Sequence, residues 1–276
     1  MDISVILVLI LCGFISNMLS AIFGIGGGVV LVPLLLTVFP FFSMQMIAAT
    51  SLSIVIISAL INLSFFIRQK IKISYKNLII WSLGMIISVQ LGFELSFYMT
   101  DFIIISVFAV TMLVLSAKTF LSFLKLNKQA SKQITPKEQK YCLKDTITGF
   151  AFCSIGGFLA GFTGIGGGSI MAPLINQLKS VNYKQVPVYT NYMMVLGGLG
   201  SMYGYLSKST ENPLANTLQI GYINLNIITI VAISSFLTSF ISMKLRGILK
   251  ARTCALILTM MLLSIAIYSV YIRIFS

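Results

Sequence analysis

Stretches of about 20 apolar residues recur along this chain, and a run of that length has few options other than to cross a lipid bilayer as a helix. There are eight of them, at 3–23, 46–67, 78–99, 102–124, 146–162, 186–206, 220–243 and 253–272. Only 9% of the 276 residues are charged, whereas soluble domains carry about 25%. The expected fold is therefore an all-α polytopic membrane protein with no separate soluble domain. The amino-terminal run lacks the basic leader and small-residue cleavage site of a signal peptide, so it is read as a retained helix.

The net charge of +13 is not spread as a nucleic-acid-binding face would be. Sixteen of the 19 basic residues fall in four short connections. These are Arg68, Lys70, Lys72 and Lys76; Lys125, Lys128, Lys132, Lys137, Lys140 and Lys144; Lys179 and Lys184; and Lys244, Arg246, Lys250 and Arg252. This clustering is the positive-inside signature of cytosolic loops, which also meet anionic lipid. The chain has no histidine and its four cysteines are scattered, so no cofactor, metal site or disulfide framework is expected. The absence of clustered carboxylates within the spans argues against an enzyme.

The chain also repeats itself. Shifted by 140 residues, 15–50 lies over 155–190 without a gap and matches at eleven of 36 positions. Five matches are consecutive: "GIGGG" at Gly24 to Gly28 and at Gly164 to Gly168. Pro33 pairs with Pro173, Gln45 with Gln185 and Thr50 with Thr190. The expected organisation is a first membrane repeat over 1–124, a basic cytosolic linker over 125–145 and a second repeat over 146–276. After each glycine cluster comes an apolar piece too short to span, at 29–39 and 169–178. Each reads as a half-helix that returns from a hairpin dipping into the membrane.

Counting crossings from the basic connections puts both termini outside and the linker in the cytosol. It also inserts the two halves upside down relative to each other, the inverted-repeat plan of secondary transporters. Two broken hairpins entering from opposite faces would then bring their glycine tips together near the midplane. Non-helical backbone is tolerated at that depth only where protein or a polar cavity surrounds it. The free amides and positive dipole end of a half-helix favour an anion there. The candidate substrate-binding residues are Gly24, Gly26, Gly27, Gly28, Gly164, Gly166, Gly167 and Gly168. Thr50 and Ser51, aligned with Thr190 and Asn191, supply further donors. Pro33, Pro173, Gln45 and Gln185 are read as hinge or gate residues. The competing reading makes the glycines close-packing contacts between helices and has the hydroxyls bonding back to their own turn.

"GIGGG", then Pro33-Leu34, then Ala49-Thr50-Ser51, resembles the sulfite exporter TauE/SafE family of bacterial membrane permeases, and the resemblance covers nearly the whole chain. The second copy keeps Gly164 to Gly168 and Pro173 but has Tyr189-Thr190-Asn191 in place of Ala-Thr-Ser. The resemblance implies export or uptake of small sulfur oxyanions or organosulfonates such as sulfite, sulfoacetate or thiosulfate. The expected protein is a multi-pass plasma (inner) membrane exporter of a small anion, with lipid and that anion as partners and a homo-oligomer left open. A passive anion channel, and an importer driven by proton or sodium co-transport, stand as alternatives.

Overall fold

Wherever an apolar run is long, the chain is helical. The computed structural model describes residues 3–23, 26–128, 143–178, 180–182, 184–208, 218–246 and 251–275. Ten helices lie among them: α1 (Ile3–Phe23), α2 (Gly28–Val38), α3 (Met44–Arg68), α4 (Tyr75–Ser96), α5 (Asp101–Lys128), α6 (Leu143–Thr163), α7 (Gly168–Ile175), α8 (Val186–Ser207), α9 (Leu225–Arg246) and α10 (Ala251–Phe275). Eight have 21 residues or more, while α2 has 11 and α7 has eight. Over their described residues, α1, α3, α4, α5, α6 and α9 are long and apolar enough to cross a membrane. The linker residues 129–142 lie outside the described residues.

Local signals set the helix starts. The Ser43 hydroxyl accepts from the Met46 amide at 3.3 Å at the head of α3, and the Asn224 side chain accepts from the Ile227 amide at 3.2 Å at the head of α9. Each of the eight expected runs forms a helix, but the helix of the seventh run starts late. Residues Gln219–Ile220 (β1) and Ile223–Asn224 (β2) form a two-stranded antiparallel hairpin before α9. Gly221, with φ +57°, turns the chain back there, a backbone state glycine reaches without a Cβ clash.

Polarity is distributed as lipid demands. Ser16, Asn17, Thr50, Ser51, Asn62, Thr190 and Asn191 are fully buried, whereas Leu11, Leu91 and Leu237 on the outer shell are about 60% exposed. Water would favour the reverse. Inside, Asn17 Nδ2 donates to the Ser235 carbonyl at 2.6 Å and to Ser239 Oγ at 2.8 Å, tying α1 to α9. Asn62 Nδ2 donates to Ser20 Oγ at 3.2 Å, tying α3 to α1.

The helix pairings are symmetric between the halves. With α1 to α5 exchanged for α6 to α10, the pair α4/α6 becomes α9/α1, α4/α8 becomes α9/α3 and α2/α10 becomes α7/α5, while α3/α8 and α5/α10 map onto themselves; all of these pairs are in contact. The polar contacts give the direction. At one end, Gln45 near the start of α3 donates to the carbonyl of Ser96, the last residue of α4, at 3.1 Å. At the same end, Lys208 just past α8 pairs with Glu94 of α4 at 3.2 Å. At the other end, Gln185 at the head of α8 donates to the Lys72 carbonyl at 2.6 Å, and Tyr189 accepts from the Ser74 amide at 2.7 Å, just before α4 begins. The homologous helices α3 and α8 therefore run antiparallel, and the two repeats are inverted.

The tightest pairing is α4 with α6, where backbones interlock through glycine. A Cβ on Gly161 of α6 would fall on the Val89 carbonyl of α4, and one on Gly92 of α4 would fall on the Phe158 carbonyl of α6. Small residues let membrane helices approach this closely, since packing rather than water drives their association. Gly161→Ala is expected to destabilise the fold by about 1–3 kcal/mol. The check is a lowered unfolding midpoint of the solubilised protein, with the apparent KM of any surviving transport unchanged.

Candidate functional site

Each long helix that precedes a half-helix stops at a glycine break. Gly26 (φ +69°) carries the first break. In the second, Gly164 (φ +73°), Gly166 (φ +82°) and Gly167 (φ +72°) are all left-handed, a conformation that costs other L-residues about 1–2 kcal/mol. Gly24 lies outside the described residues. Gly27 and Gly167 occupy the cap positions of α2 and α7, and neither supplies a side chain to satisfy the first amides. The positive ends of both half-helices consequently face the breaks.

The two breaks meet. A Cβ on Gly28 would fall on the backbone carbonyl of Ile165, in the other tip. Both tips also lean on the same residue of α3: a Cβ on Gly26 would lie 3.6 Å from Val55 Cγ1, and one on Gly166 would lie 2.7 Å from it. The partnership is crossed between repeats. The second tip lies along α3, with Gly164 against Ala48 and Gly166 against Val55, while the first tip touches Met194 of α8, whose Sδ would be 2.5 Å from a Cβ on Gly26. Ser51 shares the helix face of Ala48 and Val55 by i,i+3 and i,i+4 spacing, and Asn191 sits one turn before Met194. Ser51 thus belongs with the second tip and Asn191 with the first.

Several buried polar atoms on the half-helices and on the helices that the tips touch have no hydrogen-bond partner among the described residues. They include the hydroxyls of Ser16, Thr50, Ser51 and Ser169 and the amide oxygen of Asn191, all on residues no more than 1% exposed. Leaving a buried polar group unpaired costs about 1–3 kcal/mol, so a cluster of them calls for an explanation beyond packing. Thr190 differs from its twin Thr50. Its hydroxyl bonds to the carbonyls of Val186 and Pro187, each at 3.1 Å, so its proton is committed to its own turn. Asn191 Nδ2 likewise donates to the Pro187 carbonyl at 2.6 Å.

The glutamines and prolines stand one step back. Gln45 and Gln185 hold the opposite ends of α4 through the Ser96 and Lys72 carbonyls. Pro33 and Pro173 lie within α2 and α7. Lacking an N–H, they leave the carbonyls of Val29 and Ser169, next to the tips, without their usual helix donor. Their own carbonyls accept from Thr37 at 2.9 Å and Gln177 at 2.8 Å.

Sequence reasoning missed Ser16 and Ser169. Ser169 follows the glycines only in the second copy, where the first has Val29, and that contrast was the available signal. Ser16 sits in α1 against Gly27, a tertiary contact with no local signature. Glu94 of α4 is half exposed and pairs with Lys208, a contact that contributes about 0–1 kcal/mol.

A sequence model of the family described as "Sulfite exporter TauE/SafE" matches residues 9–269. A probable membrane transporter protein of Haemophilus influenzae is 48% identical over 268 residues, covering 97% of each chain. One from Methanocaldococcus jannaschii is 30% identical over 243 residues, covering 86% of this chain and 85% of the relative. One from Bacillus subtilis is 29% identical over 215 residues, covering 72% of this chain and 77% of the relative. No solved structure matches the chain significantly.

Proposed function

Since the chain belongs to the sulfite exporter TauE/SafE family and is a multi-pass membrane transporter, we propose that it carries a small anion, a sulfur oxyanion or organosulfonate, bound where the two glycine tips meet. The observation that carries this reading is the set of unpartnered buried hydroxyls on the elements that make and meet the tips: Ser16 against Gly27, Ser51 on the α3 face of Ala48 and Val55, and Ser169 in the first turn of α7. Hydroxyl protons and backbone amides are donors, and an oxyanion is an acceptor on every oxygen. The direct contact of Gly28 with Ile165 supports a carrier over an open channel, because a continuous pore requires free space at that point.

In this reading the basic connection at 68–76 and the head of α8 face the cytosol, and the Glu94–Lys208 pair faces outward across the plasma membrane. Export fits the energetics. An inside-negative potential drives a monoanion outward by about 2.3 kcal/mol per 100 mV, so no coupling ion is required. The anion itself and the surrounding lipid are the proposed partners.

Counterflow by purified protein in liposomes, run against a panel of sulfite, thiosulfate, sulfoacetate and chloride, tests the proposal. Sulfur anions should exchange, and an inside-negative potassium-diffusion potential should speed efflux. Ser51→Ala and Ser169→Ala together should raise the apparent KM at least tenfold, since one hydrogen bond to a charged ligand is worth about 1.5–3 kcal/mol. The same pair should leave the unfolding midpoint unchanged or higher, because it deletes unpaired buried groups. Unaltered KM would remove these hydroxyls from the site, and accumulation driven by a sodium or pH gradient would overturn the export direction.

A further inference from the structure

At the end of the molecule where α8 begins, a cavity of about 450 Å3 opens between α3, the connection to α4, and α8. Its lining includes Phe66, Lys70, Lys72, Tyr75, Val188 and Tyr192. Lys70 and Lys72 are exposed, and Lys70 holds a left-handed backbone (φ +52°) at the end of α3, an uncommon state for a residue with a side chain. The connection is pinned in place by the Gln185 to Lys72 and Ser74 to Tyr189 bonds. Among the described residues, no carboxylate lines the cavity. Asp145, the carboxylate described at this end, is occupied by the Ser180 amide at 2.9 Å.

The cavity floor leads toward the tips. Phe66 and Val188 belong to a buried apolar cluster that continues through Leu63, Ala59 and Met194 to Val55, the residue on which both tips lean. Eleven residues of α3 separate Val55 from Phe66, about 16 Å of helix. The order along α3 is thus a cationic cavity, an apolar layer about three turns deep, and the glycine tips.

We infer that this cavity is the cytosolic vestibule that concentrates the anion by means of Lys70 and Lys72, with the apolar layer from Phe66 to Val55 as the closed inner barrier. The inference rests on the anion-carrier reading for its substrate and on the cavity alone for its field. Two lysines around a low-dielectric cleft focus positive potential into it and raise the local concentration of anions. The effect weakens as salt shortens the Debye length. Lys76, four residues beyond Lys72 and also exposed, does not line the cavity and serves as the control.

A single cysteine at Tyr192→Cys, in a chain with Cys12, Cys142, Cys153 and Cys254 replaced by serine, reports the field independently of transport. In phosphatidylcholine vesicles at low salt, the ratio of its reaction rates with an anionic sulfonatoethyl thiosulfonate and with neutral methyl methanethiosulfonate should fall about tenfold on Lys70→Gln/Lys72→Gln. Raising the salt should erase most of that difference, and Lys76→Gln should leave the ratio unchanged. An unchanged ratio in the double variant, or an equal fall with Lys76→Gln, would overturn the vestibule. So would an anionic-reagent rate that drops to the double-variant level when phosphatidylglycerol is added, since the cavity would then hold a lipid headgroup. In sulfite counterflow, the double variant should raise KM with kcat unchanged. Absence of sulfite counterflow in the unmodified protein would count against the carrier reading, while the labelling ratio still decides the vestibule.

Discussion

Gly28→Ala is expected to abolish counterflow. The added methyl falls on the Ile165 carbonyl, and both partners are main chain in a helix break, so neither can rotate aside. Overpacking of this kind costs about 1–3 kcal/mol where side chains can adjust. Here relief requires the two tips, and with them the two repeats, to move apart. The loss therefore exceeds what destabilisation alone would produce. Gly161→Ala is the comparison: one turn before the second break, it drives a methyl onto the Val89 carbonyl of α4 rather than onto the first tip, so it strains the α4–α6 seam without pushing the two tips apart. Membrane abundance, unfolding midpoint and counterflow measured side by side separate the two. Gly28→Ala transporting at the unmodified rate would mean that the tips do not bear on each other in the working protein.

What was legible in the sequence was what local composition controls. The first run and α1 share the same bounds, Ile3–Phe23, and the half-helices begin one residue before their expected starts, at Gly28 and Gly168. A long apolar run has one low-energy state in lipid, so its length is enough to read it. Inversion was legible too, because counting crossings from the basic connections turns the second copy of the repeat over relative to the first. The β1–β2 hairpin was not, since Ile220 and Ile223 look apolar enough to belong to the following helix and Gly221 reveals its turn only in three dimensions.

The candidate site was legible as a motif and illegible as a constellation. Alignment made Thr50 and Thr190 twins, but one hydroxyl is unpartnered and the other is bonded within its own turn. Which state a helical threonine adopts depends on what faces it, and a repeat alignment carries no such information. The same limit hid the crossed arrangement, in which α3 of the first repeat meets the second tip through Ala48 and Val55, and α8 of the second repeat meets the first through Met194. The proposed site between two inverted halves would be built from contacts between them, whereas an alignment shows only which positions are equivalent in the two halves.

Gly27→Ala is expected to fail as severely as Gly28→Ala, yet to be repairable from a second position. Gly27 has φ −68° and ψ −10°, an ordinary right-handed conformation that alanine adopts freely. Its obstacle is the Ser16 side chain: the new methyl would fall on Ser16 Oγ and come within 2.8 Å of Ser16 Cβ. Ser16→Gly removes both atoms. The second repeat already has Gly156 at the equivalent place, 140 residues on, so α6 tolerates glycine there. The glycine lowers helix propensity by less than about 1 kcal/mol, and deleting an unpaired buried hydroxyl offsets a comparable amount. Gly27→Ala/Ser16→Gly should therefore recover the abundance and unfolding midpoint that Gly27→Ala loses. Gly167→Ala should admit no such repair, because its penalty comes from a φ of +72° and not from a neighbour that can be trimmed. Counterflow in the rescued variant then reads the role of Ser16 itself: full stability with a raised KM would assign its hydroxyl to the anion, and full recovery of both would assign it to packing. A double variant as unstable as Gly27→Ala would refute the contact between α1 and the first tip.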